Sequence, residues 1–161
     1  MNEYKKSSLE GRYLTFYVDG ELYGLELSHV IEIVSTQPTA HLPHVPAYMR
    51  GVINLRGRIV PVLDVRLKLK KPAKADDEKT CFIIVAYNDF RVGVIVDEVA
   101  EVCSVADHQL SEPPLQQLSD EKYLQSIADL GDRVVRNLDC ERFFAADLYA
   151  DGIRPASQEE G

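Results

Sequence analysis

Tryptophan is absent from this 161-residue chain, methionine occurs twice and cysteine only three times. Cys81, Cys103 and Cys140 are odd in number and widely spaced, and two of them sit in apolar, strand-like runs. That pattern is no disulfide framework; it reads as reduced core thiols in a cytoplasmic protein. Basic charge is also scarce, with 18 Lys and Arg against 26 Asp and Glu and a formal net charge of -8. A general nucleic-acid binder needs a basic footprint to displace phosphate counterions, so nucleic acid is not expected as a partner. No apolar stretch approaches the roughly 20 residues that span a bilayer. The opening MNEYKKSSLEGR carries no apolar h-region, and neither export nor direct membrane insertion is expected. What is present is 45% apolar residues, enough to fill the core of one domain or of two small lobes sharing it.

The most informative stretch is Gly51 to Arg66, GVINLRGRIVPVLDVR. Two β-branched runs flank Arg56-Gly57-Arg58, which predicts a hairpin with a charged tip. Such an element presents a rigid surface and carries no nucleophile. Arg12 to Val18 and Glu21 to Glu26 predict a first hairpin around Asp19-Gly20. From Ser28 to Val34 a short helix competes with a continued strand, and Ser28 as a potential N-cap favours the helix. Pro38, Pro43 and Pro46 break the chain ahead of Gly51 into loop. The polar run KLKKPAKADDEK, Lys68 to Lys79, predicts an exposed connection between lobes. Strands follow at Thr80 to Ala86, Phe90 to Val96 and Val99 to Val105, then at Tyr123 to Ile127 and Arg133 to Asp139. Asp139 is placed to cap a short C-terminal helix through Cys140 to Leu148. The tails, 1–11 and 151–161, are polar and expected to fray.

Within this pattern lies a repeat. YGLELSHVIEIV (Tyr23 to Val34) matches VGVIVDEVAEVC (Val92 to Cys103) at a constant offset of 69 residues, pairing Gly24 with Gly93, Val30 with Val99, Glu32 with Glu101 and Ile33 with Val102. Two β-lobes built on one plan follow, each curling to avoid open edges.

No catalytic set stands out. His41 and His44 lie three apart, but Pro43 and Pro46 argue against the helix that would make them a metal pair. Apolar surroundings disfavour the thiolate form, so neither Cys81 nor Cys103 is expected to act as a nucleophile. Asp97 and Glu98 are adjacent strand residues and point to opposite faces, so they do not form an acid–base pair. The lysines from Lys68 to Lys74 are largely cancelled by Asp76, Asp77 and Glu78, and read as a solvated loop.

Taken together, GVINLRGRIVPVLDVR, preceded by YGLELSHVIEIV and followed by VGVIVDEVAEV and LGDR, resembles the CheW family of chemotaxis coupling proteins over about Tyr13 to Leu148. The resemblance implies a mostly β fold, two small SH3-like five-stranded β-barrels around a shared hydrophobic core with short helices, occupying 12–150 as a single domain with the second lobe at roughly 80–135. It implies a protein without enzymatic activity, cofactor or metal, cytoplasmic and recruited to membrane-associated arrays. Its partners would be the cytoplasmic tip of methyl-accepting chemoreceptors and the regulatory domain of the histidine kinase CheA. The positions matching the family's receptor-binding groove are Val30, Glu32, Gly51, Asn54, Arg56, Val99 and Val102; kinase-contacting residues are not assignable. Apolar groove walls with a few polar groups suit a helical receptor tip, and the planar fork of Arg56 suits a carboxylate or helix C-terminal carbonyls.

One departure is Arg136-Asn137, where the pattern calls for apolar residues; either an edge strand wet on both faces or a shifted register would account for it. Leu110 to Lys122 is polar and proline-bearing, and its covered surface is not assignable. The alternative function is an SH3-like module binding another cytosolic peptide.

Overall fold

A computed structural model describes residues 10–113, 122–149 and 152–153. The chain begins with the expected hairpin, β1 (Arg12–Val18) and β2 (Glu21–Glu26), joined by Asp19 and Gly20, both at positive φ. A 3-10 turn at Leu27–His29 leads into β3 (Val30–Ser35). The helix expected over Ser28 to Val34 is not formed. The N-cap of the 3-10 turn is Glu26, not Ser28, and it makes no side-chain cap bond; the β-branched Val30, Ile33 and Val34 pair with Val85, Ile83 and Phe82 of the next strand of their sheet instead. The Gly51 hairpin is β4 (Met49–Leu55) and β5 (Arg58–Asp64), followed by α1 (Val65–Lys68). Then come β6 (Cys81–Tyr87), β7 (Phe90–Val96), β8 (Glu98–Ser104) and the short β9 (Leu110–Ser111). β10 (Leu124–Asp129), β11 (Val134–Leu138), α2 (Cys140–Phe144), β12 (Leu148–Tyr149) and β13 (Gly152–Ile153) complete the described chain. α2 is shorter than expected, but Asp139 caps it as anticipated, accepting from the Arg142 N–H.

The strands form a five-stranded sheet, β3-β6-β7-β5-β4, and a six-stranded one, β8-β1-β2-β11-β10-β9. The lobes are therefore interleaved along the chain: it crosses between them after β2 and again at Asp97. The division expected at roughly 80–135 differs from this, since β6 and β7 belong with β3 to β5 while β8 to β11 rejoin the N-terminal hairpin. The Lys68 to Lys79 segment likewise connects β5 to β6 inside one sheet rather than joining two lobes, and Lys68 is buried rather than solvated. Of the expected tails, residues 1–9, 151 and 154–161 lie outside the described residues; Gly11 is already tied down, its carbonyl accepting from the Val105 N–H at 2.7 Å, and Gly152–Ile153 pair with Leu148–Tyr149 as a short strand instead of fraying. Residues 114–121 of the polar stretch also lie outside them.

The 69-residue repeat becomes concrete in the registers. β1 pairs β2 with Tyr13 opposite Glu26, and β6 pairs β7 with Phe82 opposite Ile95; β8 lies on β1 with Val99 opposite Phe16, and β3 on β6 with Val30 opposite Val85. A second constant offset, 75, relates the remaining pairs. Met49 opposite Leu63 corresponds to Leu124 opposite Leu138, and Gly51 opposite Val62 to Ser126 opposite Asn137. Asp64 and Asp139, which cap α1 and α2, are related in the same way. Both lobes thus share one five-strand order, including a parallel pair, β5 with β7 and β11 with β2. The fold is mostly β and SH3-like in plan. Neither sheet closes by a ladder, so the expected barrels are curled open sheets, and one carries a sixth strand.

The main core is shared: Leu14, Phe16 and Leu25 from the larger sheet meet Leu63, Ile83 and Val94 from the smaller, with Phe143 and Phe144 of α2 packed among them. Smaller clusters fill each lobe, Val60, Val62, Phe82 and Ile84 in one, Tyr13, Leu22 and Val135 in the other.

The Arg136-Asn137 departure has neither of its expected explanations. β11 lies between β2 and β10, so it is no edge, and its register matches that of β5. Asn137 occupies the place that Val62 holds in the other lobe, fully buried, with Nδ2 donating to Ser126 Oγ at 3.1 Å while Oδ1 finds no partner. Gly24 makes room for it, since a Cβ there would stand 2.4 Å from Asn137 Oδ1. Because an unsatisfied buried acceptor costs about 1–3 kcal/mol and one neutral hydrogen bond returns about 1, Asn137→Val is expected to raise stability modestly, by about 1 kcal/mol. Denaturant titration of the two proteins measures this, and a clear loss of stability would contradict the account.

Asp97, at the second crossover, binds three elements together. Its carboxylate accepts from Arg66 Nε and Nη2, each at 2.9 Å, and from the Asp19 N–H at 2.8 Å. Burial alone would raise the Asp97 carboxyl, but the Arg66 fork and the Asp19 N–H outweigh it and hold it below its ordinary value. The folded state therefore binds this proton less readily than the unfolded chain. Its contribution is present above about pH 4 and is lost as the pH falls further, through the folded-state value. Urea titrations at pH 6 and pH 3 should show a smaller loss of stability for Asp97→Asn than for the parent.

Candidate functional site

At the tip of the β4–β5 hairpin, Arg56 and Gly57 both take positive φ, 53° and 84°, the geometry of a tight primed turn. Asn54 Oδ1 stiffens it by accepting the Gly57 N–H at 2.8 Å. The turn presents the Arg56 side chain to solvent, 68% exposed, while one Nη2–H donates to Glu32 of β3. β3 and β4 are the opposite edges of the five-stranded sheet, so this pair shows how strongly the sheet curls. A guanidinium has five N–H groups, and the exposed ones remain available to an incoming acceptor.

The other positions separate into two kinds. Val30 and Val99, at equivalent places at the starts of β3 and β8, are half-buried and both pack on the shared core. Gly51 is buried and backbone-determined: its φ of 150° and an ideal Cβ only 2.3 Å from the Ala40 carbonyl oxygen exclude a side chain. That close approach lets residue 40 bridge to Val52 through a reciprocal pair of hydrogen bonds at 2.8 and 3.0 Å. Gly51 therefore shapes the hairpin rather than offering a contact. Val102 is exposed at 41%, opposite Leu14 on the edge strand of the other sheet. The seven positions thus comprise a polar cluster, Glu32, Asn54 and Arg56, and apolar positions on the two edge strands, with Gly51 beneath.

Sequence reasoning missed the counterpart of this cluster. Glu101, the repeat partner of Glu32, receives Arg133 Nη2 at 2.7 Å across the curl of the larger sheet. Exposed apolar residues are paired too: Ile33 corresponds to Val102, and Ile59 to Val134. The 69-residue alignment already matched Glu32 with Glu101 and Ile33 with Val102; Arg133 and the Ile59 pair belong to the second offset and carried no comparable signal.

The rejected chemistry stays dispersed. His41 and His44 lie on the loop that walls a cavity of about 430 Å³ with Met49, Arg50 and Leu67, and no group of three or more metal-ligating side chains occurs among the described residues. Cys103 and Cys140 are buried. Burial pushes the Cys140 thiol up to about 12 and also raises Cys81. No helix among the described residues is long and apolar enough to cross a membrane.

Fold and surface define a two-lobed, SH3-like β protein that presents polar and apolar groups on curled edge strands. A CheW-like domain model matches residues 12–148, and the chain belongs to that family. It is 30% identical over 139 residues to a chemotaxis protein CheW of Klebsiella aerogenes, covering 86% of this chain and 84% of the relative. It is 37% identical over 103 residues to a chemotaxis protein CheW of Bacillus subtilis, covering 64% and 66%. The crystal structure of the scaffolding protein TtCheW from Thermoanaerobacter tengcongensis superposes with a TM-score of 0.79 at 28% identity, covering 83% of this chain and 92% of that one.

Proposed function

We propose that this chain is a non-catalytic chemotaxis adaptor that couples methyl-accepting chemoreceptors to a CheA-type histidine kinase, working in the cytoplasm at membrane-associated receptor arrays. The observation that carries the reading is the family match running through both lobes, from residue 12 to 148. The exposed Arg56 fork supports it further, because a rigid hairpin tip with free donors suits the carboxylates or terminal carbonyls of a helical receptor tip. Val30 and Val99 would line the groove floor, Glu32 would orient Arg56, Val102 would add apolar contact, and Asn54 and Gly51 would hold the hairpin in shape.

Two-partner capture tests this. The immobilised chain should retain a purified chemoreceptor signalling tip and a CheA regulatory domain, separately and together. Retention of neither would favour the SH3-like peptide-binding module instead.

A further inference from the structure

Lys68 ends α1 with its side chain 1% exposed, an unusual fate for an ammonium in a shared apolar core. It forms an ion pair with Asp147, also 1% exposed, and lies over three rings, 4.8 Å from the Tyr48 centroid, 5.0 Å from Phe143 and 5.4 Å from Tyr123. The Tyr48 hydroxyl donates to the other oxygen of Asp147. The lobe correspondence gives this cluster its meaning. Tyr48 and Tyr123 are related by the 75-residue offset, and each carbonyl accepts the N–H of its own lobe's helix-capping aspartate, Asp64 at 2.7 Å and Asp139 at 2.8 Å. Lys68 and Phe143 are related by the same offset. The box therefore sits where the two lobes meet their own counterparts, and at its centre one lobe supplies a cation and the other a ring.

We propose that Lys68 is the positioning residue of the lobe interface, a key that reaches from α1 into Asp147, Tyr123 and Phe143 of the other lobe and sets the angle between them. The apolar core around it holds the lobes together, but hydrophobic attraction is non-directional and does not select one angle. Aromatic and aliphatic side chains at a pseudo-symmetric junction offer several packings of similar energy. A buried ion pair tolerates few, because any rotation that separates its members leaves charge uncompensated. Cation–ring contacts and the Tyr48 bond narrow the choice further. Replacing such a pair by apolar groups is often neutral or stabilising, so net stability does not explain its presence, whereas geometry does. Val30 and Val99 stand on opposite lobes, so the same angle sets their spacing. The inference itself stands on this cluster and not on the partners proposed above.

The test separates angle from stability. Lys68→Met alone strands a buried carboxylate and should melt well below both the parent and the double variant Lys68→Met/Asp147→Leu. The double variant should melt within about 5 °C of the parent. Residual dipolar couplings from its two sheets should nevertheless require a changed relative orientation of the lobes, each sheet fitting on its own. Couplings that fit the parent's single rigid body would overturn the proposal, since packing alone would then set the angle. Should the double variant not fold, Lys68→Met/Asp147→Asn, which leaves no lone buried charge and keeps the volume and a partner for Tyr48, is measured in the same way with the same two readings.

Discussion

Val62→Asp is expected to leave no folded protein. Val62 is fully buried on β5 among Ile53, Val60, Phe82, Ile84 and Ile95, and its Cγ2 lies 3.5 Å from where a Cβ on Gly93 would stand. An aspartate there meets no cation and no N–H that is not already in the ladder, and isolated buried charge costs far more than a domain's whole stability of about 5–15 kcal/mol. Protonation would relieve only part of this, since a neutral carboxyl still needs a donor and an acceptor. Val62→Ala, which removes volume without adding charge, should remain folded and lose about 1–3 kcal/mol. Circular dichroism and denaturant titration distinguish the two. A folded Val62→Asp protein would mean that the β5 side chain does not face the lobe's core. The comparison with Asn137 sharpens this expectation. The equivalent position in the other lobe does hold a polar side chain, but it is a neutral one, hydrogen-bonded to Ser126 and given room by Gly24.

The second large effect belongs to Arg56. Arg56→Glu is expected to weaken binding of a receptor tip by roughly 100-fold or more and Arg56→Ala by roughly 10-fold, the range seen when a central interface anchor is reversed or truncated. The melting temperature should hardly move in either case, because the side chain is exposed and its contact with Glu32 lies in solvent. Reversal is worse than truncation because it sets two carboxylates, Glu32 and the new one, against each other and against an acidic partner group. Isothermal titration with the receptor tip reads the affinity directly. Unchanged affinity in both variants would remove Arg56 from the interface.

The sequence disclosed the larger plan and the wrong partition. The hairpins around Asp19-Gly20 and Arg56-Gly57 were legible because turn chemistry is local, and so was the Asp139 cap. The repeat was legible because its first half keeps one offset. Its second half was not, because the two lobes diverge there in side-chain character: Val62 answers to Asn137, and Lys68 to Phe143. Sheet membership was misjudged because pairing across lobes is non-local; the chain leaves one sheet after β2 and returns at Asp97 without a glycine- or proline-rich linker to mark either crossing. Lys68 read as a solvated lysine for a similar reason, since its burial depends on Asp147 and Tyr123, remote in sequence. Among the proposed contact residues, the ion pair of Glu32 with Arg56 brings two together that sequence reading had only set side by side. The structural role of Gly51 is visible only once residue 40 is seen against it.

The adaptor reading is tested most directly by kinase activity. A CheA-type kinase and a chemoreceptor signalling domain are assembled with and without this protein, and autophosphorylation is followed. A strong stimulation that requires all three components, and that Arg56→Glu abolishes while the variant stays folded, is the predicted result. A rate indifferent to the protein, with both partners present and competent, would contradict it.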